Sequence, residues 1–146
     1  MQKNNIITKG ILPQEQTFTI HNQNIFGLKE KETEQVPYIV LKYYQPNHEC
    51  FSQWDKQELK GFSDFIEKLR KTNWNLIRSQ TGSKKVGFGY AQIDKKTLPK
   101  ANILNDISED VNFAELRLSK GARIFGFRIN AAFFLIFLDK NHKICP

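Results

Sequence analysis

Residues 113–146 read FAELRLSKGARIFGFRINAAFFLIFLDKNHKICP and contain three successive segments of β type. The segments are residues 113–118, 123–128 and 132–138, all rich in aromatic and branched side chains. Lys120-Gly121 lies in the first gap and Asn130-Ala131 in the second, and both gaps are short enough for hairpin turns. This pattern predicts an antiparallel meander of three strands.

The same part of the chain carries most of the positive charge. Between residues 117 and 146 there are six Lys or Arg residues against one acid, Asp139, so 6 − 1 = +5 of the formal net charge of +7 lies here. The six basic residues are Arg117, Lys120, Arg123, Arg128, Lys140 and Lys143. A compact sheet with this charge predicts an anion-binding surface.

Composition excludes several classes of protein. A chain of 146 residues with 40% hydrophobic and 12% aromatic residues is expected to fold as one domain and not to be disordered. The longest apolar run, residues 131–138, has eight residues, against roughly 20 for a membrane span. Residues 1–10 (MQKNNIITKG) have no continuous apolar stretch, so no secretory signal is expected. Cys50 and Cys145 lie far apart and form no CxxC motif. We therefore expect a cytoplasmic protein without cofactor, metal or membrane association.

Upstream of the meander, a strand and two helices are predicted. Residues 1–35 are polar and are expected to form an arm or small hairpin, and residues 36–146 form the single domain. Residues 36–44 (VPYIVLKYY) have strand composition. Ser52 and Asp55 are alternative N-caps of a helix. The apolar stripe that this helix is expected to bury consists of Trp54, Leu59, Phe62, Phe65, Ile66 and Leu69.

A shorter helix is expected to begin at a Thr72 cap and to run through Trp74 and Ile77. Residues 82–112 resemble loop and turn. The predicted fold is therefore α+β: an antiparallel β-meander sheet with two helices packed on one face, and with residues 133–138 inside the sheet.

This layout resembles the RelE/ParE superfamily of toxins from toxin–antitoxin modules. The resemblance lies in residues 122–128 (ARIFGFR), 133–138 (FFLIFL) and 139–144 (DKNHKI), and covers about two thirds of the chain, from the first helix onward. The run from FSQWDKQELKGF through TNW, GFGY and ELR to GFR and LDKNHKI also looks like a bacterial group related to these toxins. The resemblance implies a RelE-like fold, cleavage of mRNA either free or in the ribosome, and a cognate antitoxin as partner.

Metal-independent RNA cleavage requires proton transfer to and from the reacting oxygens and compensation of the charge on the phosphorane. Histidine suits the first task and Arg or Lys the second. Some members of the superfamily carry a tyrosine or arginine beyond the last strand, and the resemblance makes Tyr90, in GFGY, a candidate substitute for it. The candidate catalytic residues are therefore His142, Arg123, Arg128 and Lys143, and the candidate RNA-binding residues are Arg117, Lys120, Lys140 and Tyr90.

Strand alternation separates the two arginines of the second segment. Arg123 shares a face with Phe125 and Phe127, whereas Arg128 lies on the opposite face, so only one of them is expected to face a cleft. Arg123 is favoured, because the two aromatic rings could form a platform for bases, although aromatic residues at such positions are more often part of the core.

Two functions are consistent with these residues. The first is a toxin-like, metal-independent endoribonuclease in which His142 is the general acid or base. The alternative is a non-catalytic basic module of the same fold that inhibits a target or docks an acidic protein; in that case His142 is an exposed turn residue and Arg117 is the charge partner of Glu115.

Overall fold

A computed structural model describes residues 35–80 and 87–146. The predicted N-terminal arm lies outside these residues, apart from Gln35. The described chain contains the strands β1 (Tyr38–Val40), β2 (Ala91–Gln92), β3 (Phe113–Arg117), β4 (Arg123–Ile129) and β5 (Ala132–Asp139), the helices α1 (Lys56–Leu69) and α2 (Trp74–Ser79), and 3-10 turns at Phe51–Gln53, Lys95–Thr97 and Asn102–Asp106.

The strands form one five-stranded sheet in the order β1-β5-β4-β3-β2. The antiparallel meander of β3, β4 and β5 is confirmed, and β5 lies inside the sheet as predicted. The prediction of a wholly antiparallel sheet is wrong, because β1 pairs with β5 in parallel. Both helices, the long connection and the strands β2 to β4 separate β1 from β5 in sequence, and so long a connection allows the chain to return to the sheet in the same direction.

The β4–β5 hairpin has a two-residue loop and one irregularity. Asn130 begins the loop with φ of 54°, a left-handed conformation that asparagine tolerates better than most residues. A β-bulge shifts the register between Phe125 and Gly126. A Cβ added at Gly126 would lie 1.8 Å from the carbonyl oxygen of Phe134, so the strands approach too closely for any side chain there.

The helix caps correct two details of the sequence interpretation. Of the two predicted caps for α1, Asp55 is the N-cap in the structure. Its side chain accepts a hydrogen bond of 2.8 Å from the Glu58 amide, and the Glu58 side chain accepts one of 2.8 Å from the Asp55 amide, which completes a capping box. The prediction of Thr72 as the cap of α2 is wrong. Asn73 caps that helix by accepting from the Leu76 amide at 2.9 Å.

The two faces of the sheet are covered differently. The helix-covered face carries Trp54, Phe65, Leu69, Trp74 and Ile77 from the helical segments, packed on the strands. The loop-covered face is closed by Tyr43, by Leu98, Leu104 and Ile107 of the long connection, and by the C-terminal residues Ile144 and Cys145. Both helices therefore bury their side chains on the same face of the sheet.

Two predictions about burial and loops are wrong. Leu59 and Ile66 are 41% and 36% exposed, because they lie about 100–120° around α1 from Phe65 and only a narrow stripe meets the sheet. The sequence predicts loop and turn over residues 82–112, of which residues 82–86 lie outside the described part of the chain; in the remainder, β2 is a strand that pairs with β3. A strand of two residues is too short to produce a period-two pattern. Across the described residues, neither helix has the length or apolarity needed to cross a bilayer.

Candidate nucleic-acid interface

Two arginines stand opposite each other at the end of the β3–β4 hairpin. Arg117 and Arg123 are paired in the strand register. Arg123 Nη1 donates to the carbonyl oxygens of Ser119 at 3.1 Å and Ala122 at 3.0 Å, and Arg117 Nη2 donates to that of Gly87 at 3.2 Å. Like charges on directly opposed residues destabilise a sheet. A bound anion would relieve this repulsion.

A cavity of about 780 Å³ opens between this hairpin and the C-terminal end of α1, and we call it the basic pocket. Its lining in the described chain consists of Phe65, Lys68, Lys71, Gly87, Phe88, Arg117, Leu118, Ser119, Lys120 and Arg123. Five of these residues are cationic and none is acidic. Lys71 also lies 3.2 Å from Glu67, but both side chains are more than half exposed, so this ion pair is weak and easily exchanged for a phosphate.

Lys68 and Lys71 are the pocket residues that sequence reasoning missed. Their helical spacing places them on the polar side of α1, so the sequence pattern predicts that they belong to a solvent-exposed face. They lie in or directly after the last turn of the helix, and the end of that helix reaches the β3–β4 hairpin. The signal that could have found them is this clustering of cations at the helix C-terminus, which the helix dipole favours.

Glu115 lies beside the two arginines, with its Oε1 buried. This atom has no hydrogen-bond partner among the described residues. Burial raises the pKa of the Glu115 carboxyl, Asp139 acts in the same direction, and the charges of Arg123, His142 and Arg117 oppose the rise. Burial likewise lowers the pKa of Arg123. A partly desolvated carboxyl among cations and an imidazole is a group suited to proton transfer.

His142 lies in the turn that Asp139, the last residue of β5, stabilises through its carboxylate and its backbone carbonyl. The buried Asp139 side chain accepts hydrogen bonds of 2.8 Å from the amides of both Lys143 and Ile144. The His142 amide donates to the Asp139 carbonyl at 3.3 Å, and His142 has φ of 54°. A left-handed histidine fixed by its neighbours stores backbone strain, which is common at functional positions. His142 acts electrostatically on Glu115 but is not among the residues that line the basic pocket.

Other candidate residues lie away from the pocket. Arg128 lies near the far end of β4, about 16 Å along the strand from Arg123, with its guanidinium 5.2 Å from the centre of the Trp74 ring. Tyr90 is 8% exposed and also packs on Trp74. Lys140 contacts the start of α1, where its Nζ donates to the Gln53 carbonyl and lies 3.6 Å from Glu58.

Of the eight candidate residues, the structure brings Arg117, Lys120 and Arg123 together in the basic pocket. Lys143 is exposed on the C-terminal tail. Of the two arginines of β4, Arg123 lines the basic pocket, whereas Arg128 is not among the residues of its described lining. Phe125 and Phe127 are fully buried in the core of the loop-covered face, so they offer no surface for bases beside Arg123.

The burial of Glu115 predicts an unusual dependence of stability on pH. Because the folded protein favours the protonated carboxyl, the ionised form destabilises the fold at neutral pH, and this penalty is absent below the pKa of the unfolded chain. Glu115→Gln should therefore raise the melting temperature at pH 7 and leave it unchanged near pH 3. Glu109→Gln, at an exposed carboxylate, is the control and should change neither value. A Glu115→Gln variant that melts below the wild type at pH 7 would show that the ionised carboxylate stabilises the fold.

Among the residues that the structure describes, no group of three or more His, Cys, Asp or Glu side chains is arranged to hold a metal ion. No protein-family model matches the chain, and neither a curated protein nor a solved structure is significantly similar to it.

Proposed function

We propose that this protein binds single-stranded RNA in the basic pocket and cleaves it without a metal ion. The observation that carries the proposal is the composition of the pocket. Five cations from one helix and one hairpin converge on a cavity that has no acidic residue in its described lining. Clustered Lys and Arg around a concave surface are the electrostatic feature that backbone phosphates recognise.

The two kinds of cation have different tasks in this proposal. Lys68 and Lys71 are exposed on flexible side chains and act as point charges on flanking phosphates. Arg117 and Arg123 are half-buried and tied to backbone carbonyls, so their planar guanidinium groups present a fixed donor geometry to one phosphate. We therefore assign the scissile phosphate to the arginine pair.

The residues next to this pair supply the proton transfers. Glu115 accepts the proton of the 2′-hydroxyl, whose oxygen attacks the phosphorus, and His142 donates a proton to the departing 5′-oxygen. The products are a 2′,3′-cyclic phosphate and a 5′-hydroxyl. Arg123, with Arg117, compensates the charge that develops on the phosphorane. The support for this assignment is the strand register, which places Arg117 opposite Arg123 and Glu115 two residues from Arg117 on β3. Neither Glu115 nor His142 is among the residues of the described pocket lining, so the proposal places the reacting oxygens at the edge of the pocket beside the arginine pair.

The biological role that we propose is that of a RelE/ParE-type toxin that acts in the cytoplasm on mRNA, free or in the ribosome, and is restrained by an antitoxin protein. The α+β architecture with a β3–β5 meander is compatible with this role. The second candidate is a non-catalytic binder on the same fold, which the basic pocket by itself would also suit. His142 distinguishes the two, because a binder has no need of an imidazole at a strained position.

Removal of the helix cations should weaken RNA binding in a salt-dependent way. Each phosphate contact with single-stranded RNA contributes a slope of about 0.7 in log K against log salt. The double variant Lys68→Ala/Lys71→Ala should therefore reduce the slope by about 0.7 to 1.4 and weaken binding at low salt. Fluorescence anisotropy with an uncleavable 2′-O-methyl oligonucleotide at several salt concentrations measures both quantities.

The matched control is Lys96→Ala/Lys100→Ala, which removes the same charge from exposed positions outside the pocket. It should leave the slope within experimental error of the wild type. If both double variants lose the same slope, RNA binding follows net charge and the basic pocket is not the site. Wild-type protein that binds no RNA at low salt would overturn the proposed function.

A further inference from the structure

Phe88 is the aromatic residue of the basic pocket that keeps part of its ring accessible. It is half-buried, whereas Phe65, the other aromatic residue in the described lining, is 2% exposed. The two rings meet edge to face, with centroids 5.6 Å apart and an interplanar angle of 77°. The ring of Phe88 is thus supported by the core from one side and exposed to the pocket.

The backbone around Phe88 is fixed by the arginine that faces the phosphate. The Phe88 carbonyl accepts a hydrogen bond of 2.6 Å from the Arg117 amide. Gly87 and Gly89, on either side, have φ of 77° and 56°, conformations that glycine adopts without strain. A Cβ at Gly89 would lie 2.9 Å from Arg117 Nη1, so the turn is closely packed around the guanidinium. The backbone that carries the Phe88 ring is therefore packed directly against Arg117.

We infer that Phe88 is a base-stacking residue and that the ligand of the basic pocket is a single-stranded nucleotide unit, with its phosphate on the arginine pair and its base on the Phe88 ring. This inference rests on the proposed function and makes it more specific. A planar ring beside five cations suits a ligand that is both aromatic and anionic. An apolar peptide would leave the cations uncompensated, and an inorganic polyanion would leave the ring exposed to water.

Stacking on Phe88 explains a preference for single strands. In a duplex the base faces are covered by their neighbours, so a protein ring cannot reach them without unstacking the helix. Stacking of one base on an aromatic side chain changes affinity by about 5- to 150-fold and depends little on base identity. We therefore expect strong discrimination of single strand from duplex and weak discrimination among sequences.

The test compares three probes with the full-length protein: a 2′-O-methyl oligoadenylate of about six nucleotides, the same backbone with abasic sugars, and inorganic polyphosphate. Phe88→Leu should weaken binding of the oligoadenylate by about 5-fold or more. The affinities for the abasic backbone and for polyphosphate should stay unchanged, and Phe88→Tyr should retain the affinity for all three. Phe51→Leu, at another half-buried phenylalanine that lies outside the pocket, is the control and should behave as the wild type.

The outcomes distinguish failure of base stacking on Phe88 from failure of RNA binding in the basic pocket. Equal affinity of the wild type for the oligoadenylate and the abasic backbone would overturn base stacking and leave RNA binding intact. A Phe88→Leu variant that loses affinity for all three probes alike would show that the ring only maintains the shape of the pocket, which also overturns the inference. A wild-type protein that binds polyphosphate but neither oligonucleotide would overturn both the inference and the proposed function.

Discussion

Replacement of His142 by Ala should lower the rate of RNA cleavage by roughly 10²- to 10⁴-fold, the range expected for loss of a general acid or base. His142 lies on the tail that Asp139 fixes, acts electrostatically on Glu115, and is not needed by the core, because its side chain belongs to neither apolar cluster. The measurement is single-turnover cleavage by purified protein, with and without ribosomes. The 2′,3′-cyclic phosphate should be identified in the product, and EDTA should leave the rate unchanged.

A second variant separates chemistry from backbone strain at this position. Because His142 has a left-handed backbone, Ala destabilises the turn for reasons unrelated to proton transfer. His142→Asn removes the imidazole but retains a residue that tolerates this conformation. Both variants should lose activity alike. His48→Ala, at an exposed histidine that contacts Phe137, is the control and should cleave normally.

Two outcomes would contradict the catalytic assignment. Wild-type protein that binds RNA but does not cut it, with or without ribosomes, would move the proposal to the non-catalytic binder. Growth arrest on expression in bacteria that persists in His142→Asn would do the same.

Replacement of Arg123 by Ala should lower the cleavage rate on the order of 10²-fold if its guanidinium stabilises the phosphorane. A smaller loss of rate would assign the stabilisation of the phosphorane to Arg117.

Replacement of Gly126 by Ala should destabilise the protein by at least about 3 kcal/mol, the upper end of the range for overpacking. The added Cβ would lie 1.8 Å from the Phe134 carbonyl oxygen and 2.8 Å from its carbonyl carbon. Both are backbone atoms of β5, which has a neighbouring strand on each side, so no side-chain rotation removes the clash. Relief requires the β4–β5 pairing to open, and this pairing carries fully buried side chains on both faces of the sheet.

The same substitution at Gly61 is the matched control, with the opposite sign. Gly61 lies inside α1, and a Cβ there meets nothing within 4 Å. Gly61→Ala should stabilise the protein by up to about 1 kcal/mol, because Ala has the better helix propensity. Urea denaturation followed by circular dichroism measures both variants. A Gly126→Ala protein as stable as the wild type would show that β4 and β5 do not approach as closely as described.

Much of the fold followed from local patterns. The meander was predictable because its turn residues and its aromatic and branched segments recur at hairpin spacing, and α1 because Asp55 begins a run of helical period. The parallel pairing of β1 with β5 could not be predicted, because the sequence of a three-residue strand specifies neither its partner strand nor its direction. The burial of Leu59 and Ile66 was overestimated, because apolar periodicity predicts which side of α1 meets the sheet but not how wide the buried stripe is.

Local patterns in the sequence account for the two-helix and meander layout and for the positive charge concentrated in residues 117–146. Which cations come together depends on how the helices pack on the sheet, and no local pattern predicts it. The tertiary structure brought Lys68 and Lys71 to the hairpin of Arg117 and Arg123, engaged Lys140 at the start of α1, and enclosed Tyr90 in the core. It also placed Glu115 where burial raises its pKa. The physical reason is that propensity and periodicity act over a few residues, whereas electrostatic fields and desolvation depend on distances between groups far apart in the chain.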